Sequence, residues 1–199
     1  MAGALKPPIN PMTGVEQPVM AGKGMKNAAI IGFGDVLQGD LGAGCYVLDA
    51  LTQTLLDSPV ELVYLADGYT HTATAVIQKD LCIFVEALDL GCTPGMVQCW
   101  SLDAVRQNLS CLADCHGSLQ LLAEALALAE LAGGMPQKTM FVWLQPEQTK
   151  EIGLSRKVRR GLRKVIAVVQ EELFAAGLLP LETLRQARLY RIDLLNCSI

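Results

Sequence analysis

Ala28-Ala29-Ile30-Ile31-Gly32-Phe33-Gly34, running on into Asp35-Val36-Leu37-Gln38-Gly39-Asp40, is the segment from which the architecture can be read. Four successive apolar residues, Ala28–Ile31, leave neither side of a strand for solvent, so the run reads as a buried strand. Gly32-Phe33-Gly34 then feeds a tight turn. A polar loop from Asp35 to Asp40 follows, and a helical pattern begins only after the next glycines, from about Cys45 to Leu56. Two glycines in this place suggest a dinucleotide fingerprint, but the full GxGxxG pattern would put a third glycine where Leu37 stands and would open a helix at once. The glycines are therefore assigned to the turn itself, and a Rossmann-like small-molecule protein is kept as the third reading of the chain.

The pattern repeats along the chain. Val60–Leu65 is β-branched and aromatic enough for a second strand, with Asp67-Gly68-Tyr69-Thr70 as the turn at its end. Leu81–Ala87 is a third strand, and Met96–Trp100 a fourth after the Thr93-Pro94-Gly95 turn. Ser118–Ala132 is rich in Ala and Leu without β-branched residues, hence helix, stopped by Gly133-Gly134 and Pro136. Thr139–Leu144 is a fifth strand. Ser155 is the N-cap of a long helix running to about Ala176 and closed by Gly177. After Pro180 the chain mixes apolar and basic residues, compatible with a short helix and a strand.

Strands alternating with helices predict an α/β fold, a mostly parallel five-stranded sheet sandwiched between helices. In such sheets ligands lie outside the carboxyl ends of the strands. That rule gathers four places on one rim: the turn after Gly32, the turn after Leu65, the end of the third strand at Glu86, and the loop before Ser118.

Composition narrows the class. Of 199 residues, 51% are hydrophobic and 18% charged, which excludes disorder as the main description and predicts one soluble domain. The longest apolar runs, Ala28–Phe33 and Leu121–Leu128, fall well short of the ~18 residues of a membrane span, so no membrane insertion is expected. Sixteen basic against 20 acidic residues give a net charge of −4, with no global attraction for nucleic acid or anionic lipid. Seven cysteines, an odd and scattered set without CxxC, point to free thiols in a reducing compartment. Residues 1–24 carry prolines at 7, 8, 11 and 18 and lack the apolar stretch of a signal peptide. They are read as a flexible tail, residues 25–177 as the α/β domain, residues 178–199 as a C-terminal extension, and the location as cytoplasmic.

Chemistry-bearing groups are sparse. There is no GxSxG elbow, no HExxH and no Walker lysine. Two histidines, His71 and His116, and carboxylates at the strand ends are what the rim offers. Each histidine has an ordinary surface or capping role as its alternative. Glu86 is the sharper observation, because an acid ending the run Leu-Cys-Ile-Phe-Val is costly unless paired, ligating or at the wet rim. Carboxylate with imidazole is a ligand set suited to nickel, zinc or a similar divalent ion. Cys92 and Cys115 would add a soft ligand, with simple packing as their alternative. Arg156, Lys157, Arg159, Arg160, Arg163 and Lys164 form a basic cluster, a solvated face or a docking patch for an acidic partner. Cations there oppose the helix macrodipole.

Several motifs recur in order: Gly32-Phe33-Gly34-Asp35, then Asp40-Leu41-Gly42-Ala43-Gly44; Asp67-Gly68-Tyr69-Thr70; Glu86 before Gly91-Cys92-Thr93-Pro94-Gly95; His116 before the Ala/Leu-rich helix; and Leu144-Gln145-Pro146-Glu147 with Ile152-Gly153-Leu154-Ser155 before the last helix. In this order and spacing, over about Met25 to Gly177, the chain resembles the maturation endopeptidases of nickel–iron hydrogenases. The resemblance implies a parallel sheet between helix layers. It also implies an enzyme that removes a short C-terminal extension from the hydrogenase large-subunit precursor once nickel has been inserted.

By position, Glu86 and His116 correspond to two nickel-contacting residues of the family, with the nickel supplied by the substrate's own active site. The acid expected after Asp40 is replaced by Leu41, and the family asparagine by Asp35. The third contact then falls to Asp40 or, as the alternative, to His71, or else the nickel chemistry is lost. Asp67 and Thr70 would hold the extended tail of the substrate. Two functions follow: a metal-dependent endopeptidase acting through Glu86, His116 and Asp40, or a non-catalytic chaperone or checkpoint protein that binds the precursor in the same groove.

Overall fold

β1 (Ala28–Phe33) is buried along its whole length, as its unbroken apolar run requires of a strand covered on both faces. The computed structural model describes residues 25–65, 71–115 and 118–183. The expected tail 1–24, the turn with Asp67 and Thr70, His116, and the chain from 184 on lie outside the described residues. Beside β1 stand β2 (Val60–Leu65), β3 (Leu81–Ala87), β4 (Val97–Ser101) and β5 (Lys138–Leu144), in the order β2-β1-β3-β5-β4. The first four strands of that order run parallel, with Gly32 opposite both Tyr64 and Val85 and Glu86 opposite Trp143.

β4 is the exception and pairs antiparallel with β5, Val97 opposite Leu144. The reason is chain length. The nine residues between Ala87 and Val97 leave the carboxyl edge and return to it, whereas a parallel strand needs a crossover of a dozen or more.

Alternation along each strand sorts the core into two faces. Ala28, Ile30, Leu81, Ile83, Val85, Val142 and Leu144 pack against α1 (Ala43–Thr52) and α5 (Arg156–Ala175) through Val47, Leu48, Leu51, Val158, Val165, Val169 and Leu173. Ala29, Ile31, Phe33, Cys82, Phe84, Phe141 and Trp143 face α2 (Thr72–Val76), α3 (Leu102–Cys115) and α4 (Ser118–Leu131). This second face carries an aromatic row across four strands. Phe84 stacks on Phe141 at 4.7 Å and lies 6.0 Å from Phe33, and Trp100 meets Trp143 at 4.7 Å. Such pairs add about 0.5–1.5 kcal/mol each beyond their area burial.

The turn after β1 depends on glycine. Gly34 has φ +121°, and a Cβ there would sit 1.8 Å from the Leu41 carbonyl oxygen. Gly44, in the first turn of α1, would place a Cβ 2.3 Å from the Phe33 carbonyl. Between them Val36–Gly42 forms an irregular 3₁₀ segment rather than the expected plain loop. The helix then begins at Ala43, two residues before the expected start, and ends at Thr52 rather than Leu56. α2 and α3 were not expected from the sequence.

Candidate active site

The chain's strand order reverses between β1 and β3, since β2 lies on one side of β1 and all later strands on the other. At such a switch point the loops leave in opposite directions and a crevice opens at the carboxyl edge. A cleft of about 410 Å³ lies there. Gly34, Asp35, Gln38 and Leu41 come from the segment after β1, Glu86 to Asp89 from the end of β3, and Pro146 to Thr149 from the segment after β5. Two of the four predicted rim positions, those after Gly32 and at Glu86, are thus brought together. The other two, after Leu65 and before Ser118, fall largely outside the described residues.

Glu86 is half-buried as the penultimate residue of β3 and lines the cleft. It is on the same side of the strand as Phe84 and Cys82, the side that carries the aromatic row. Asp35 lines the opposite lip and shapes its own loop. Its Oδ1 accepts the Leu37 N–H at 2.8 Å, and its Oδ2 accepts Gln38 Nε2 at 3.3 Å. Leu41 stands in the cleft wall and packs into the core beside α1. Hydrocarbon thus occupies the position where the resemblance places an acid.

Asp40, expected as a ligand, is surrounded by backbone donors. It is fully buried and does not line the cleft. Its Oδ2 accepts the N–H groups of Glu147 and Gln148 at 2.8 and 2.9 Å, and its Oδ1 accepts that of Ser155 at 2.6 Å. Charge-assisted bonds of this kind are strong, and with three of them the carboxylate is a brace between loops. His71 is exposed at the N-cap position of α2 and does not line the cleft. Cys92 is held by Gln98 Nε2 at 3.0 Å, and its N–H is held by Gln145 Oε1 at 3.1 Å. The side chains of His116 and Cys115 lie outside what is described. Among the described residues no three His, Cys, Asp or Glu side chains gather as a metal site. A cation entering the cleft would meet carboxylate oxygens, and any imidazole donor has to come from outside the described part.

Side chains not singled out in the sequence complete the cleft. Asp89 and Glu147 add two carboxylates to its wall. Gln145, buried at the end of β5, accepts the Leu90 and Cys92 N–H groups and donates to Asp89 Oδ1 at 2.8 Å. Gln148 accepts the Lys150 and Glu151 N–H groups and donates to the Glu151 and Gly153 carbonyls. The two glutamines hold the loops after β3 and β5 from within. The signal was present in Gln145-Pro146-Glu147, but only as a motif of the resemblance. Nearby, the Cys45 thiol donates to the Gly34 carbonyl at 3.2 Å. Burial, then Asp49 and Asp35, push its pKa up, so it is a protonated thiol and not a thiolate nucleophile.

This is an open α/β protein with a carboxylate-walled cleft at its switch point. The comparisons with known proteins narrow it further. A family model described as hydrogenase maturation protease matches residues 45–172. The chain is 30% identical over 153 residues to the hydrogenase expression/formation protein HoxM of Cupriavidus necator, covering 74% of this chain and 70% of that one. It is 27% identical over 163 residues to HoxM of Azotobacter vinelandii, covering 76% and 74%. The fold superposes on that of the hydrogenase maturating endopeptidase HybD from Escherichia coli with a TM-score of 0.67 at 21% identity, covering 77% of this chain and 95% of that one. The chain belongs to the hydrogenase maturation protease family.

Proposed function

We propose that the protein is an endopeptidase that cuts a C-terminal extension from a nickel-loaded hydrogenase large-subunit precursor. The observation that carries this reading is Glu86, a half-buried carboxylate at the end of β3 in the wall of the switch-point cleft. Gln38, Gln148 and Thr149 line the cleft and offer amide and hydroxyl groups to a peptide. Glu86 and His116 would supply an oxygen and a nitrogen donor to the nickel of the substrate, and Asp67 and Thr70 would hold the departing tail. A metal so placed polarises a carbonyl and lowers the pKa of bound water. The protein would then have to align the scissile bond, with the proton released by the attacking water passing to the departing amine.

Leu41 and Asp40 favour a second reading. With an apolar side chain at one expected ligand position and the neighbouring acid committed to backbone donors, the same cleft would suit a non-catalytic protein that binds the precursor as a checkpoint. A processing assay separates the two. Purified protein is mixed with nickel-loaded or nickel-free precursor and the mass of the large subunit is followed. Loss of a C-terminal peptide from the loaded form alone, abolished by Glu86→Gln or His116→Ala, is the expected result. A stable complex without mass change selects the checkpoint reading, and neither binding nor cleavage, with a working protease as control, overturns both.

A further inference from the structure

Six of the chain's sixteen lysines and arginines fall within residues 156–164, the first turns of α5. The fold does not use them for packing. The helix buries Val158, Gly161, Val165, Val169 and Leu173, and the cations point away from that face. Lys157 pairs with Glu147 at 2.6 Å, Arg159 donates to the Leu154 carbonyl at 3.3 Å, and Arg163 also has a partner. Arg156, Arg160 and Lys164 do not. They are exposed, one helical turn apart, and without a partner among the described residues. Like charges at this spacing repel one another, and cations near a helix N-terminus oppose the macrodipole. The arrangement costs the free protein stability that no contact within the described fold returns.

The stripe also has a definite place. Glu147, the partner of Lys157, lines the cleft, and the Ser155 N-cap is tied to the loop after β1 through Asp40. The stripe therefore starts at the shoulder of the cleft and runs along α5 for about 12 Å, eight residues at 1.5 Å each. The sign of charge inverts across that shoulder. Asp35, Glu86, Asp89 and Glu147 line the inside, and arginines and a lysine stand outside.

We propose that the Arg156–Arg160–Lys164 face of α5 is the docking surface for an acidic patch on the body of the precursor whose tail enters the cleft. The inference rests on the function proposed above and adds the second contact and its chemistry. The inverted charge gives the complex a single favourable orientation, because a precursor turned end for end meets like charge at both places. A protein partner fits better than a membrane or nucleic acid. The stripe abuts a cleft wall of four carboxylates on a chain of net charge −4, which repels an extended anionic surface, and the apolar face of α5 is already spent in the core.

The test compares the wild type with the variant Arg156→Gln/Arg160→Gln/Lys164→Gln on nickel-loaded precursor at about 50 and 300 mM NaCl. KM is read where the precursor is cleaved, and the Kd of the complex where it is bound uncleaved. Three lost rim charge pairs predict about a tenfold rise in KM or Kd at low salt with kcat unchanged. The strong salt dependence of the wild type should flatten in the variant. The variant should melt no lower than the wild type, and Lys164→Gln alone, with a smaller shift in the same direction, serves if the triple change impairs folding.

An unchanged KM or Kd with unchanged salt dependence overturns the docking surface while leaving the function standing. So does a fall in kcat alone, or a loss of binding to vesicles containing phosphatidylserine with precursor processing intact. A wild type that neither binds nor cleaves the precursor removes the functional reading, and the docking surface falls with it.

Discussion

A carboxylate sealed from water persists in a folded protein only when its oxygens are paired. Asp40 satisfies this with three backbone N–H groups from the loop between β5 and α5. Its removal therefore strands donors as well as deleting bonds. Asp40→Ala should lower the stability by about 3–5 kcal/mol, measured as a shift in the urea midpoint at constant slope. A loss under about 1 kcal/mol would show that other contacts hold the two loops. Glu86 offers the contrast. It stands at the wet end of its strand, so Glu86→Gln is expected to remove activity with little change in folding. The sequence marked both residues as acids near a rim, and only their surroundings separate a buried brace from a carboxylate in the cleft wall.

Among the elements, α5 shows how a local signal and its context combine. Ser155 is its N-cap in the structure as in the sequence, and its hydroxyl accepts the Val158 N–H at 3.3 Å. In a helix whose first turns are cationic, that bond is among the few favourable terms at this end. Ser155→Ala should cost about 1 kcal/mol, read as a lower melting temperature, with the Asp40 bond to the Ser155 N–H kept because it is a backbone contact. No change in melting temperature would mean that water replaces the hydroxyl at no cost. α3 carries the same kind of signal, which the reading of the sequence passed over. Ser101 accepts the Ala104 N–H at 3.2 Å, Asp103 stands in the first turn, and Leu102, Val105, Leu109 and Leu112 recur at helical spacing. Val105 is buried with the aromatic row and α3 packs on α4. α2 is five residues long, too short to leave a periodic trace.

For the molecule as a whole, buried thiols set an alkaline limit. Burial pushes Cys82, on β3, from the ordinary 9.0 up to about 12. In the unfolded chain the same thiol ionises from about pH 9. Its contribution to stability is therefore complete below pH 9 and lost as the pH rises from 9 towards 12. Unfolding free energies measured across that window should fall more steeply for the wild type than for Cys82→Ala, and parallel curves would refute the assignment. Much of the architecture was legible without coordinates. β2 and β3 agree residue for residue with the apolar runs Val60–Leu65 and Leu81–Ala87, and the mostly parallel sheet follows from their alternation with helices. These features are written locally, in hydrophobic period, capping residues and glycines, because each depends on neighbours a few positions away. The direction of β4, the inward turn of Asp40 and the arrival of Glu147 and Gln148 beside Glu86 were decided only by the closed chain. The donors to Asp40 lie 107 to 115 residues from it in sequence, and a charge finds partners at that distance only after the sheet has brought the ends of β1, β3 and β5 to one edge.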